Sequence, residues 1–191
     1  MKTRIASAAA TNRTGYWKRV RAVGGVAAAV TAAVVLSASP ASASGDYSGL
    51  STVAGSGGFS DDWNDEGILS TSRHASSNAT CLWQKVLWAD GKLDWNSIDG
   101  VFGSGTREAT KAWQRRWVGA GAGADDGVVG KATFTAAGRS LADTDGNGSV
   151  DTYIGTDGRS FLVGRTADGD YTFYDRNGEK RLAGYNYRTC T

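Results

Sequence analysis

Two copies of one short phrase lie 27 residues apart in this chain: Asp99-Gly100-Val101-Phe102-Gly103 and Asp126-Gly127-Val128-Val129-Gly130. A threonine and an alanine follow both copies at equal distances, as Thr106 and Ala109 and then as Thr133 and Ala136. The Asp-Gly pair favours a tight turn, because glycine adopts a positive φ without steric cost. We expect each copy to turn the chain, to bury its two apolar side chains and to enter a helix through its second glycine, which frees the backbone.

Three helices are predicted around these phrases, over residues 78–91, 106–117 and 131–141. Asn78 or Thr80 is expected to cap the first helix. In the second helix Trp113 and Trp117 recur at a step of four residues, which is the spacing of a buried stripe. We therefore expect Trp113 to lie in the core.

After residue 141 the pattern alternates between apolar and polar residues, which is typical of strands. Hairpin turns are indicated by Asp157-Gly158, Asp168-Gly169 and Asn177-Gly178. They separate four predicted strands, over residues 151–155, 160–166, 170–176 and 180–188. We expect an antiparallel meander that packs on the helices, because so small a sheet is marginally stable alone. The predicted fold class is α+β.

The N-terminal residues 1–43 have the features of a signal peptide. Six basic residues and no acidic one precede or flank an apolar run over residues 23–36, and Ala41-Ser42-Ala43 offers a cleavage site. The run is shorter than the roughly 20 residues that span a bilayer, although an N-terminal anchor is the alternative. We expect secretion, to the medium or the cell wall, and no membrane association after cleavage.

The remaining chain is divided by composition into three predicted parts. These are a flexible linker over residues 44–66, a helical domain over 67–141 and a β-meander over 142–191. The formal net charge of the chain is +2, but without the six basic leader residues it carries 15 basic and 19 acidic residues. An acidic secreted protein is not expected to bind nucleic acid. We expect a monomer.

Cys81 and Cys190 are the only cysteines. In an exported protein two cysteines usually pair, so we predict an intramolecular disulfide between them. Two buried free thiols and an intermolecular bridge are the alternatives.

The helical part resembles the peptidoglycan-binding domain family, which consists of small three-helix modules of bacterial wall proteins. The resemblance covers about residues 78–141 and rests on Leu82-Trp83-Gln84, Leu87, both copies of the phrase, Thr106, Ala109, Trp113-Gln114, Thr133 and Phe134. It implies a secreted, non-catalytic protein that binds cell-wall peptidoglycan. Trp113 stands where the family usually has phenylalanine, and Phe134 where it often has tryptophan. The alternatives are an extracellular interaction or inhibitor protein that uses the helices as a scaffold, and a small wall hydrolase.

The aromatic residues supply the first candidate ligand contacts. Indole faces suit sugar rings and peptide methyl groups, because they bury apolar area while a polar edge stays wet. Trp88 and Trp95, near a helix end and in a loop, are the best surface candidates. The other candidate ligand-binding residues are Asp99, Phe102, Ser104, Thr106, Trp113 and Gln114. Thr106 and Asp99 equally suit a helix cap and a turn.

A calcium loop is a second candidate site. The stretch from Asp143 to Asp151 places oxygen ligands at the spacing of such loops, on Asp143, Asp145, Asn147, Ser149 and Asp151. Ile154 occupies the twelfth position, where a bidentate glutamate belongs, so any Ca²⁺ site is expected to be structural and weak. A polar linker rich in turn residues is the alternative.

No enzymatic site is predicted, and no cofactor is required. His74 is the only histidine, and no Gly-x-Ser-x-Gly elbow occurs. A carboxylate pair of the glycosidase type has its candidates among Asp61, Asp62, Asp65 and Glu66. We interpret these acids around Trp63 as a solvated lead-in to the fold.

Overall fold

Three α-helices, two short 3-10 helices and five β-strands form within residues 47–119 and 123–191, which are the residues described by the structure, a computed structural model. The expected signal peptide, and residues 44–46 of the expected linker, lie outside the described residues. Among the described residues, no helix has the length and apolar character needed to cross a bilayer. The α+β prediction is confirmed.

The α-helices follow the predicted order. Helix α1 spans Asn78–Ala89, α2 spans Ser104–Trp117 and α3 spans Lys131–Gly138, and the 3-10 helices are Phe59–Asp65 and Trp95–Ser97. Helix α3 is shorter than predicted, because Leu141 pairs with Tyr153 in the sheet rather than continuing the helix.

Helix α1 is the centre of the fold, since every one of its residues except Trp88 is buried. A helix buried on all sides is a core helix rather than a surface one. Its cap is Ser77, whose Oγ accepts a hydrogen bond from the N–H of Thr80 at 3.0 Å. The prediction that Asn78 or Thr80 caps this helix was therefore wrong. Asn78 Oδ1 instead accepts from the N–H of Cys190 at 3.1 Å.

The strands form one antiparallel sheet in chain order. They are β1 Leu141–Ala142, β2 Thr152–Ile154, β3 Ser160–Arg165, β4 Tyr171–Tyr174 and β5 Lys180–Leu182. Four of them correspond to the predicted meander, and β1 is an additional strand. Tyr153, Phe161 and Phe173 are buried and share one core with the side chains of α1. The predicted disulfide between Cys81 and Cys190 is present, and it closes a separation of 109 residues.

The segment that we expected to be a flexible linker is packed against the sheet. The N–H of Val53 donates to the carbonyl of Ala183 at 2.9 Å, and the N–H of Tyr171 donates to that of Val53 at 2.8 Å. Val53 is fully buried, and Trp63 is 1% exposed. The linker prediction is therefore wrong for residues 52–66. Glycine and serine dominated the composition, but two apolar side chains hold the segment in place.

Candidate functional site

A glutamine of helix α1 holds the first copy of the repeated phrase. Nε2 of Gln84 donates to Asp99 Oδ1 at 2.9 Å, to the carbonyl of Val101 at 3.1 Å and to Thr106 Oγ1 at 3.0 Å. Its Oε1 accepts from the N–H of Asp99 at 3.0 Å and of Gly100 at 2.7 Å. Both ends of this amide therefore bind the turn.

Gln114 of helix α2 holds the second copy in the same way. Nε2 of Gln114 donates to Asp126 Oδ1 at 3.2 Å, to the carbonyl of Val128 at 2.8 Å and to Thr133 Oγ1 at 3.1 Å. Its Oε1 accepts from the N–H of Gly127 at 2.9 Å. The sequence carried a signal for this arrangement, because a Trp-Gln pair precedes each copy of the phrase.

These contacts place several predicted ligand residues inside the fold. Gln114 and Trp113 are each 1% exposed, Phe102 is 2% exposed and Thr106 is 5% exposed. Asp99 Oδ1 accepts hydrogen bonds from Nε2 of Gln84 and from the N–H of Val101. These four side chains are buried in the fold, so the prediction that they bind a ligand was wrong. Asp99 is a turn residue.

The predicted need for glycine in the phrase is confirmed at the first glycine of each copy and not at the second. Gly100 and Gly127 have φ values of +72° and +76°, as the turn requires. The second glycines, Gly103 and Gly130, are extended, a conformation open to other residues. We also expected both apolar residues of each copy to be buried, but Val101 is 38% exposed and Val128 is half-buried.

A groove opens beside the second copy of the phrase. Its volume is about 450 Å³, and mainly apolar residues line it, among them Tyr47, Ile68, Val118 and Val128. Lys131, which is the counterpart of Ser104 in the repeat, lies on its edge. Ser104 itself is exposed at the start of α2. We call this cavity the second-copy groove.

The two surface tryptophans that the sequence singled out lie together. The ring centroids of Trp88 and Trp95 are 4.8 Å apart in an edge-to-face arrangement. Trp95 is 37% exposed and Trp88 is half-buried. With Leu93, Asp94, Asn96, Ser97 and Arg159 they line a cavity of about 430 Å³. We call this cavity the tryptophan pocket.

Each of these two indoles is covered by a cation. Nζ of Lys85 lies 5.1 Å from the ring centroid of Trp95 and donates to the carbonyl of Tyr174. The guanidinium of Arg159 lies 5.6 Å from the ring centroid of Trp88. Burial lowers the pKa of Lys85 to about 8, against the opposing charge of Asp175. Cations over ring faces attract the indoles and favour their present orientation.

The acidic residues around Trp63 line a separate cleft of about 290 Å³. Glu66 is fully buried, and burial raises its pKa to about 7. Burial also raises the pKa of Asp62, against hydrogen bonding from Tyr171 and the charge of Arg165. The interpretation as a solvated lead-in was therefore wrong for Asp62 and Glu66. Asp61 and Asp65 are exposed on the wall of the cleft.

The predicted calcium loop brings three of its carboxylates together. Asp143, Asp145 and Asp151 each offer an oxygen within 4.8 Å of the others. Backbone N–H groups, foremost that of Gly148, lower the pKa of Asp143. The side chain of Asn147 donates to Asp145 at 2.9 Å, and its Oδ1 accepts from the N–H of Ser149. These bonds account for the loop without a metal, so calcium binding stays a prediction.

No protein-family model, curated protein or solved structure matches this chain.

Proposed function

We propose that this chain is a secreted, non-catalytic protein that binds cell-wall peptidoglycan. The observation that carries the proposal is the pair of glutamine-held turns. Gln84 and Gln114 bind the two copies of the phrase through matching atoms. These are the residues on which the resemblance to peptidoglycan-binding domains rests. Their shared structural role supports a true repeat over a chance likeness in composition.

The surface cavities of the helical part support binding of a ligand. The second-copy groove and the tryptophan pocket measure about 450 and 430 Å³. Cavities of a few hundred Å³ suit a saccharide or a short peptide. Their walls combine apolar side chains with a small number of polar and charged groups, which is the usual composition of a ligand site.

The state of the buried acids supports binding without catalysis. Oε2 of Glu66 accepts a hydrogen bond from the hydroxyl of Tyr185, and Asp62 Oδ2 accepts one from the hydroxyl of Tyr171. The side chain of Glu66 has no exposed surface through which it could reach a substrate. A general acid must approach the bond that it protonates within hydrogen-bond distance.

The experiment mixes the oxidised protein, residues 44–191, with purified sacculi and separates them by centrifugation. We expect the protein in the pellet and no loss of turbidity. Insoluble cellulose is the control for nonspecific adsorption. Protein that stays in the supernatant with walls of several bacterial types would contradict the proposal.

A wall hydrolase is the second candidate, and the acidic cleft favours it. Asp61 and Asp65 are exposed on its wall, and a pair of carboxyl groups is what a glycosidase requires. Clearing of the sacculus suspension that is lost in Asp61→Asn or in Asp65→Asn would support this candidate. An interaction protein is the third candidate, favoured by the outer face of the sheet, where Leu162 is 59% and Ile154 is 50% exposed. If the protein neither sediments with sacculi nor clears them, the result favours a protein partner on that face.

A further inference from the structure

We propose that the tryptophan pocket binds the glycan strand of peptidoglycan, as a subsite for uncharged N-acetylated sugars, rather than the stem peptide. This inference rests on the proposed function and adds to it the chemical class that the pocket recognises.

The geometry of the two indoles provides the apolar surface for a sugar ring. Trp88 and Trp95 meet at 62° with centroids 4.8 Å apart, so they form the two walls of a corner. Lys85 is 4% exposed, and its Nζ lies over Trp95. The ring face toward Lys85 is therefore covered, and 37% of Trp95 remains exposed. An aromatic face of this kind packs against the C–H groups of a pyranose.

The rim of the pocket provides polar groups for sugar hydroxyls. Asp94, Asn96 and Ser97 are exposed, and their side chains make no hydrogen bond to other residues in the described ranges. Together they offer a carboxylate, an amide and a hydroxyl, which include both donors and acceptors. The lining of the pocket is more polar than apolar. A hydroxyl-rich ligand fits this lining better than an aliphatic peptide does.

The charges at the pocket disfavour the carboxylates of a stem peptide. Arg159 forms an ion pair with Asp157 at 2.9 Å and donates to the carbonyl of Trp88 at 2.9 Å. Lys85 is buried and donates to the carbonyl of Tyr174. Arg159 stays 42% exposed, and the carboxylate of Asp94 is exposed on the rim. The carboxylates of Asp94 and Asp157 offset the two cations, so an anionic ligand gains no net attraction to this pocket.

The test measures binding of three soluble probes by titration calorimetry. The probes are an N-acetylglucosamine tetrasaccharide, glycan strands freed of peptide with an amidase and then methyl-esterified at the lactyl carboxyl groups that the amidase exposes, and a stem pentapeptide. We expect the two glycans to bind and the pentapeptide not to bind. Trp95→Ala should weaken glycan binding at least tenfold, and Trp95→Phe, which keeps a ring, should retain most of the affinity.

Tyr187→Ala is the matched control, because Tyr187 is a 40% exposed aromatic residue that lines neither the tryptophan pocket nor the second-copy groove. Its glycan affinity should equal that of the wild type. Sedimentation with sacculi but no binding of either glycan, or unchanged glycan binding by Trp95→Ala, would overturn this inference and leave the proposed function intact. Failure to sediment with sacculi and to bind any probe would overturn both.

Discussion

The hydroxyl of Tyr185 donates a hydrogen bond of 2.5 Å to Oε2 of Glu66. The other oxygen of Glu66 accepts from the N–H of Ala54 at 2.9 Å. One buried carboxyl group therefore joins the segment before the first helix to the end of the chain. Since burial dominates over these hydrogen bonds, the folded protein favours the protonated form of Glu66.

The first prediction concerns the pH dependence of stability. The pKa of Glu66 is about 7 in the folded state against an ordinary value of 4.5, so the folded state binds the proton more tightly. The resulting stabilisation is complete below pH 4.5 and is lost as the pH rises through about 7. We expect the free energy of unfolding to fall by about 2–3 kcal/mol across this window. Urea unfolding at pH 5 and pH 8 measures it.

Glu66→Gln is the control for this effect, because it keeps the shape of the side chain and removes its titration. The variant should lose most of the difference between pH 5 and pH 8. A wild type that is equally stable at pH 5 and at pH 8 would contradict the raised pKa of Glu66.

The second prediction concerns the glutamine that holds the second turn. Gln114→Ala leaves the N–H of Gly127 and the hydroxyl of Thr133 without their buried partner. Since each unsatisfied buried group costs on the order of 1–3 kcal/mol, we expect a loss of about 3 kcal/mol in unfolding free energy. Arg115→Ala, the next residue of α2 and an exposed one, should cost less than about 1 kcal/mol. Equal losses in the two variants would contradict the structural role of Gln114.

The third prediction concerns the disulfide. The Cys81–Cys190 bond closes a separation of 109 residues, and a loop of roughly 100 residues contributes about 4–5 kcal/mol in the chain-entropy model. We expect a large drop in the melting temperature when a reductant is added. The double variant Cys81→Ala/Cys190→Ala should melt at the lower temperature with or without the reductant. A wild type that ignores the reductant, although its thiols are shown to be free, would refute this expectation.

The fourth prediction concerns calcium. If the loop from Asp143 to Asp151 binds Ca²⁺ with the weak affinity of extracellular modules, 10-fold excess over Kd stabilises the protein by about 1.4 kcal/mol. We expect a rise in the melting temperature that Asp145→Ala abolishes. Asp168→Ala, which removes an exposed acid of the acidic cleft, should leave the rise unchanged. The same melting temperature with calcium and with a chelator would exclude the site.

Local patterns predicted much of the fold. The Asp-Gly pairs marked real turns because a positive φ at Gly100 and Gly127 is a property of the turn itself. The spacing of Trp113 placed it in the core, and the alternation after residue 141 placed the meander. The extra strand was missed because Leu141 and Ala142 are strand residues only by pairing with β2.

The candidate sites were predicted less well, because burial depends on partners distant in the chain. Gln114 and Thr106 are polar and suit a groove rim, yet each has a buried partner of its own repeat. Asp62 and Glu66 were expected in solvent, but Tyr171 and Tyr185 follow more than 100 residues later and enclose them. Trp88 is half-buried and Trp95 is 37% exposed, as their positions near a helix end and in a loop predicted.

The sequence by itself determined the turns, the helices and most of the meander, because these follow from backbone preferences and from the period of apolar residues. Only the tertiary structure decided which polar side chains are buried, which tryptophans meet and which copy of the repeat borders a groove. Those outcomes depend on contacts between distant segments, such as Val53 with Ala183 and Cys81 with Cys190. Such contacts form only when the whole core closes.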